Sequence, residues 1–159
     1  MTRTKTRLAV TAGVAVAALG MALGVAWATT GVGISTVIVS GPTRLGEIHI
    51  HSKSDINDLE IKTKGSSDVY VVFNTIVPGG DTGWHSHPGP SIISVKSGTA
   101  TEYNSDDPTN PTVHVAGTCF VDDGEHAHIV RNEGTVNLEL VAFQVLPAGA
   151  VRRIDEQAP

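Results

Sequence analysis

Turns constrain this chain more than anything else in it. From residue 35 onward, short runs rich in β-branched residues are cut at close intervals by glycine, proline and small polar residues. Residues 35–40 are β-branched and end at Gly41-Pro42, and residues 47–51 alternate. Residues 59–64 set Leu59 and Ile61 against Glu60 and Lys62, so one face is expected to be wet. Residues 69–77 form a longer run, stopped by Pro78-Gly79-Gly80. Residues 91–96 and 99–103 flank Ser97-Gly98, a hairpin-like turn signal. Residues 112–115, 118–121 and 127–131 are short, and residues 136–146 form a long alternating strand ending at Pro147. Short strands at this spacing predict an all-β sandwich or barrel. No stretch beyond the first 28 residues reads as an amphipathic helix. Residues 104–111 (Asn-Ser-Asp-Asp-Pro-Thr-Asn-Pro) are polar and rich in turn formers, which predicts a loop between two halves of similar layout.

The first 28 residues have a different character. Arg3, Lys5 and Arg7 precede an uncharged run over residues 8–28 that ends Ala26-Trp27-Ala28. A basic start, an apolar run and an A-x-A-like end describe a secretory signal peptide, with cleavage expected after Ala28. The alternative is an uncleaved anchor, since roughly 20 apolar residues can span a bilayer. Either way the folded part is expected outside the cytoplasm. The division is then 1–28 signal peptide or anchor, 29–68 N-terminal strands packing on the barrel, 69–147 barrel and 148–159 C-terminal tail.

Charge narrows the partners. The chain has 11 Lys+Arg and 16 Asp+Glu; three of the basic residues and none of the acidic ones lie in the first 28, leaving a formal charge of −8 beyond them. Arg152-Arg153 is the one basic run that remains, so nucleic acid and anionic membrane surfaces are not expected partners. Cys119 is the single cysteine, which excludes an intramolecular disulfide. It lies in an apolar stretch and is expected to be a buried small hydrophobe. A cross-linked homodimer through it stays open.

Six of the seven histidines come as three His-x-His pairs: His49/His51, His85/His87 and His126/His128. On a strand, residues i and i+2 point to one face, so each pair could present two imidazoles side by side. Neutral imidazole suits Zn, Cu, Fe and Ni. The pair His85-Ser86-His87 has the most specific frame, Gly83-Trp84 before it and Pro88-Gly89-Pro90 after it. His49/His51, beside Lys53, is expected on a solvated strand face, and His114 on the surface or rim. Trp84 is expected as packing at the barrel mouth or as a substrate platform. Glu102 and Tyr103 could reach a cavity as base or proton donor.

The frame Gly79, His85, His87, Gly98 and the later His128-x3-Asn132 resemble the two motifs of the cupin superfamily, over about residues 69–146. The stretches 83–90 and 120–134 look like a family of small exported bacterial single-domain cupins. The resemblance implies a double-stranded β-helix, the jelly-roll or cupin barrel, with one divalent metal ion (Fe, Zn, Mn, Ni or Cu) in its mouth. His85, His87 and His128 would be the ligands, with His126 as competitor for the last place. A bulge at Gly124-Glu125 could select either histidine or allow both. The glutamate of the first motif falls on Ser91, or on Ile92 with the longer spacing. Glu125 could replace it, although on a regular strand it points to the opposite face. Three imidazoles alone leave the ion's charge uncompensated and favour an anionic ligand or hydroxide. Their ring nitrogens should lie roughly 3–4 Å apart to share an ion at about 2.0–2.2 Å. The expected function is a metalloenzyme, dioxygenase-like or Lewis-acid, on a small anionic molecule. The alternative is a non-catalytic module binding a small ligand or a metal, with Trp84 and Ser91 in its pocket. A metal-poor barrel whose edges pair into a dimer is a third reading.

Overall fold

A computed structural model of the chain describes residues 28–159; the expected signal segment lies outside the described residues, apart from Ala28. The described residues form strands and no helix: β1 (Val32–Leu45), β2 (His49–Lys53), β3 (Asp58–Lys62), β4 (Ser67–Asp81), β5 (His85–Ser86), β6 (Ser91–Ser97), β7 (Thr99–Asn104), β8 (Asp107–Val115), β9 (Cys119–Asp122), β10 (His128–Arg131), β11 (Leu138–Pro147) and β12 (Ile154–Asp155). The fold is all-β, as the turn spacing predicted.

Ten strands make one continuous sheet that folds back on itself. One half runs β1-β4-β11-β6-β9 and the other β12-β5-β10-β7-β8, all neighbours antiparallel. Alternation decides what faces inward. On β11, Leu138, Leu140, Ala142, Gln144 and Leu146 are buried while the residues between them are not. Leu138, Leu140, Ala142 and Leu146 meet Val72 and Ile76 of β4, Val95 of β6, and Ala100 and Val130 from the other half in one apolar cluster. This is the double-stranded β-helix of a jelly roll.

Several local expectations need correction. Pro78-Gly79-Gly80 does not stop β4. The ladder to β1 skips between Ile34↔Ile76 and Val32↔Asp81, so these residues form a bulge through which β4 passes from one half to the other. There it joins β10 at Arg131↔Asp81. The motif residue Asn132 clamps this corner: its Nδ2 donates to the carbonyls of Ile76 and Val136, and its Oδ1 accepts from the Gly134 amide. Ser97-Gly98 makes a turn but not a hairpin, because β6 pairs with β9 and β11 and β7 pairs with β8 and β10.

Residues 104–111 are not a loop. β7 and β8 turn back after Asn104↔Asp107, and residues 108–111 bulge out of the ladder before Glu102↔Thr112. Pro108 and Pro111 are tolerated there because β8 is an edge strand. Cys119 is exposed rather than buried, since β9 turns Phe120 and Asp122 inward and Cys119 and Val121 outward. The hairpin β2-β3 forms a separate sheet with both faces exposed, not one.

Candidate metal centre

The site forms where the two short strands β5 and β10 cross the mouth of the barrel. His128 stands directly opposite His85 in their antiparallel pairing, so both side chains leave the sheet on one face. His87 follows two residues after His85 on the same side. The three ring centroids lie 4.3 Å (His85–His128), 4.9 Å (His85–His87) and 5.7 Å (His87–His128) apart. All three residues are buried, and one ligating atom from each lies within 4.8 Å of the others. That is slightly wider than the roughly 3–4 Å that a shared ion requires.

Backbone carbonyls fix two of the rings. His85 Nδ1 donates to the Gly83 carbonyl at 2.9 Å, and His87 Nδ1 to the Arg152 carbonyl at 2.7 Å. A carbonyl can only accept, so both rings carry the proton on Nδ1 and keep Nε2 as a free lone pair. Burial pushes His85 well below the ordinary histidine range, helped by the nearby His128, Arg153 and His87, and pushes His87 down in the same direction. Both rings are thus held neutral, the form that binds metal.

Two glycines permit this geometry. Gly83 has φ +67°, and a Cβ there would lie 2.4 Å from the Thr29 carbonyl oxygen. Gly124 has φ +83°, and its Cβ would press on the His87 and Gly89 carbonyls at 2.7 Å. The turn at Gly124, capped by Asp122 and Asp123 side chains on the Gly124 and Glu125 amides, decides between His126 and His128. Strand β10 begins only at His128. His126 stays exposed and sits 3.2 Å from Asp106, and Glu125 is also exposed.

The histidines line a cavity of about 250 Å³. Ser91 lies on its wall, where its Oγ accepts from Gln144 Nε2 at 3.0 Å; Gln144 in turn accepts from Arg152 at 3.3 Å. Trp84 is buried but does not line the cavity. Its backbone links Thr29 to Glu156: the amide donates to Thr29 Oγ1 and the carbonyl accepts from the Glu156 amide. Glu102 and Tyr103 face elsewhere: Glu102 meets His114 at 2.9 Å, and the Tyr103 hydroxyl donates to Glu133. His114, expected on the surface or rim, stacks on Phe120 with ring centroids 4.0 Å apart.

The sequence reading missed Asp122, Gln144, Arg152 and Arg153, all on the cavity wall. Asp122 shares the inward face of β9 with Phe120, a phase that the four residues of the strand do not themselves reveal. The arginines come from the C-terminal residues, which are no loose tail: β12 pairs with β5 at Asp155↔His85 and Ile154↔Ser86. The residues fit a bound cation. Two buried polar atoms, Asp122 Oδ2 and His128 Nδ1, lack a hydrogen-bond partner, and such orphans are rare without an ion or water between them.

No protein-family profile matches the chain, and no curated protein does. Among solved structures, the chain is similar to an uncharacterized conserved protein with a double-stranded β-helix domain from Klebsiella pneumoniae. That match has 25% identity and a TM-score of 0.48, over 57% of this chain and 76% of that one. It is also similar to a cupin superfamily protein from Desulfitobacterium hafniense, at 11% identity and a TM-score of 0.48, over 71% of this chain and 77% of that one. A predicted oxalate decarboxylase from Thermotoga maritima matches at 20% identity and a TM-score of 0.43, over 52% of this chain and 83% of that one. Strand topology and the meeting of both motifs at one mouth carry the assignment: the chain folds as a cupin-type double-stranded β-helix, with His85, His87 and His128 gathered in its opening.

Proposed function

We propose that this protein is an exported single-domain cupin that binds one divalent metal ion through His85, His87 and His128 and acts on a small anionic molecule. The observation that carries the reading is the convergence of three buried imidazoles, two of them locked with Nε2 free. An ion bound there would supply Lewis-acid polarisation or, as iron(II), redox chemistry with dioxygen. The chain's own residues supply the rest. Burial keeps bulk water from the rings. Arg152 and Arg153 bring positive charge to the cavity wall, which favours a carboxylate-bearing ligand over a neutral one. Gln144 and Ser91 offer polar atoms that orient it. Export is supported by the basic and apolar start of the chain; among the described residues no helix is long and apolar enough to cross a membrane.

The second reading is a non-catalytic small-ligand or metal-binding module, which needs no more than the three histidines and the polar wall of the cavity. Metal analysis of the purified full chain, beside a His85→Ala/His87→Ala variant, tests the centre. About one equivalent of metal in the first and none in the second is expected, and equal content in both would overturn it. Oxygen uptake, together with the disappearance of the acid itself, over a panel of small carboxylic acids then separates the enzyme from the binding module, which would show neither.

A further inference from the structure

The first cupin motif places a glutamate where this chain has Ser91, yet the centre does not lack a carboxylate. We propose that Asp122 is the anionic metal ligand, presented from β9 in place of the glutamate missing from β6. This rests on the three-histidine reading above and extends it.

Ser91 and Asp122 are directly opposite each other in the β6–β9 pairing. Residues opposite in an antiparallel pair share a face, with Cβ atoms about 4.5–5.5 Å apart. A carboxylate on either strand therefore opens into the same volume, and both residues are buried on the cavity wall. The Gly124 amide holds Asp122 Oδ1 at 2.9 Å and fixes the carboxylate plane. Oδ2 then faces inward, 3.9 Å from His87 Nε2, the lone pair that the Arg152 carbonyl leaves free. Oδ1 lies 3.5 Å from His128 Nδ1 without a hydrogen bond between them.

The contrast with the other buried aspartate is decisive. Asp68 has both oxygens matched, Oδ1 by Arg44 Nε at 2.7 Å and Oδ2 by the Gly149 amide at 2.7 Å. Asp122 Oδ2 accepts no hydrogen bond. A buried carboxylate oxygen without a partner is costly, and a cation shared with the neighbouring imidazoles removes the cost. The resulting three-nitrogen, one-oxygen set leaves positions open for a substrate on a six-coordinate ion.

The test is cobalt(II) titration of the full chain, followed by visible absorption, with cooperative unfolding checked for every variant. Asp122→Asn keeps an acceptor for the Gly124 amide but loses the charge. Asp122→Ser, whose hydroxyl can cap the same turn, is the second variant. Both should weaken cobalt binding by more than about 100-fold, beyond what loss of an outer-shell partner costs, and shift the ligand-field band. Adding Ser91→Glu to Asp122→Asn should recover most of the affinity, since the two positions serve one volume. Wild-type affinity and an unchanged band in folded Asp122→Asn would overturn the assignment. So would a smaller loss with an unchanged band, which would place Asp122 outside the coordination sphere. If the wild-type chain itself takes up no cobalt, the three-histidine reading fails along with it.

Discussion

The pairs His85/His87 and His49/His51 have the same spacing, and each stands on or beside a β-strand. Their fates differ completely. In the mouth of the barrel, two rings are desolvated, tied by Nδ1 to backbone carbonyls and aimed at a third ring across the sheet. On the β2-β3 hairpin, His49 meets Glu60 and His51 meets Asp58, each at 2.7 Å and more than half exposed. Spacing sets only the face on which two side chains emerge. Whether they become ligands depends on what stands opposite and on whether water is excluded. Opposite His85 is another histidine; opposite His51 is a glutamate.

The comparison can be broken in several places. The largest effect is expected at the metal. Replacing His128 with alanine should lower metal affinity by more than about 100-fold, while His126→Ala, His49→Ala and His51→Ala leave it unchanged, as isothermal titration would read. Next comes the core behind the site. Leu138→Ala should destabilise by about 2–5 kcal/mol in denaturant unfolding, whereas Ile50→Ala on the exposed hairpin should stay within about 0.5 kcal/mol.

Asn132→Ala removes a donor from two carbonyls and an acceptor from the Gly134 amide at the corner beside the site. It should cost about 1–3 kcal/mol by the same measurement. Acidity separates the two pairs further. Burial lowers His85 and His87 from the ordinary value of 6.5, so with metal chelated the unfolded chain binds more protons than the folded one below that pH. Stability should therefore be full above pH 6.5 and fall as the pH drops towards the folded values, by up to about 1.4 kcal/mol per pH unit for each ring. The effect of the hairpin's own pairs is small: the double His49→Ala/His51→Ala variant should shift stability by no more than about 1 kcal/mol, the worth of exposed pairs.

Much of this was legible in the sequence, and the gaps have physical reasons. The alternation along residues 136–146 appears as β11, whose even-numbered residues fill the core. The Gly-framed His85/His87 pair could be singled out because its flanking glycines mark close backbone approach. Strand partners could not be read. Ser97-Gly98 looks like a hairpin locally, yet the strands on either side lie in different halves. The phase of β9 was missed for the same reason: four residues cannot reveal which face is inward until β6 lies beside them. That single phase exposes Cys119 and buries Asp122, so one misjudged face hid the carboxylate. His126 and His128 share a strand face only if the strand is regular through both, and the Gly124 turn delays β10 until the second of them.

The hydrogen bond from His87 to the Arg152 carbonyl spans 65 residues. The imidazole comes 65 residues before the carbonyl that decides which of its nitrogens carries the proton. The segment that carries this carbonyl also supplies β12, which pairs with the strand of His85. Readiness for metal is therefore a property of the closed chain and not of the motif. A nascent chain would hold His85, His87 and His128 before it held a binding site, and competence would wait for Arg152 and β12 to close on them.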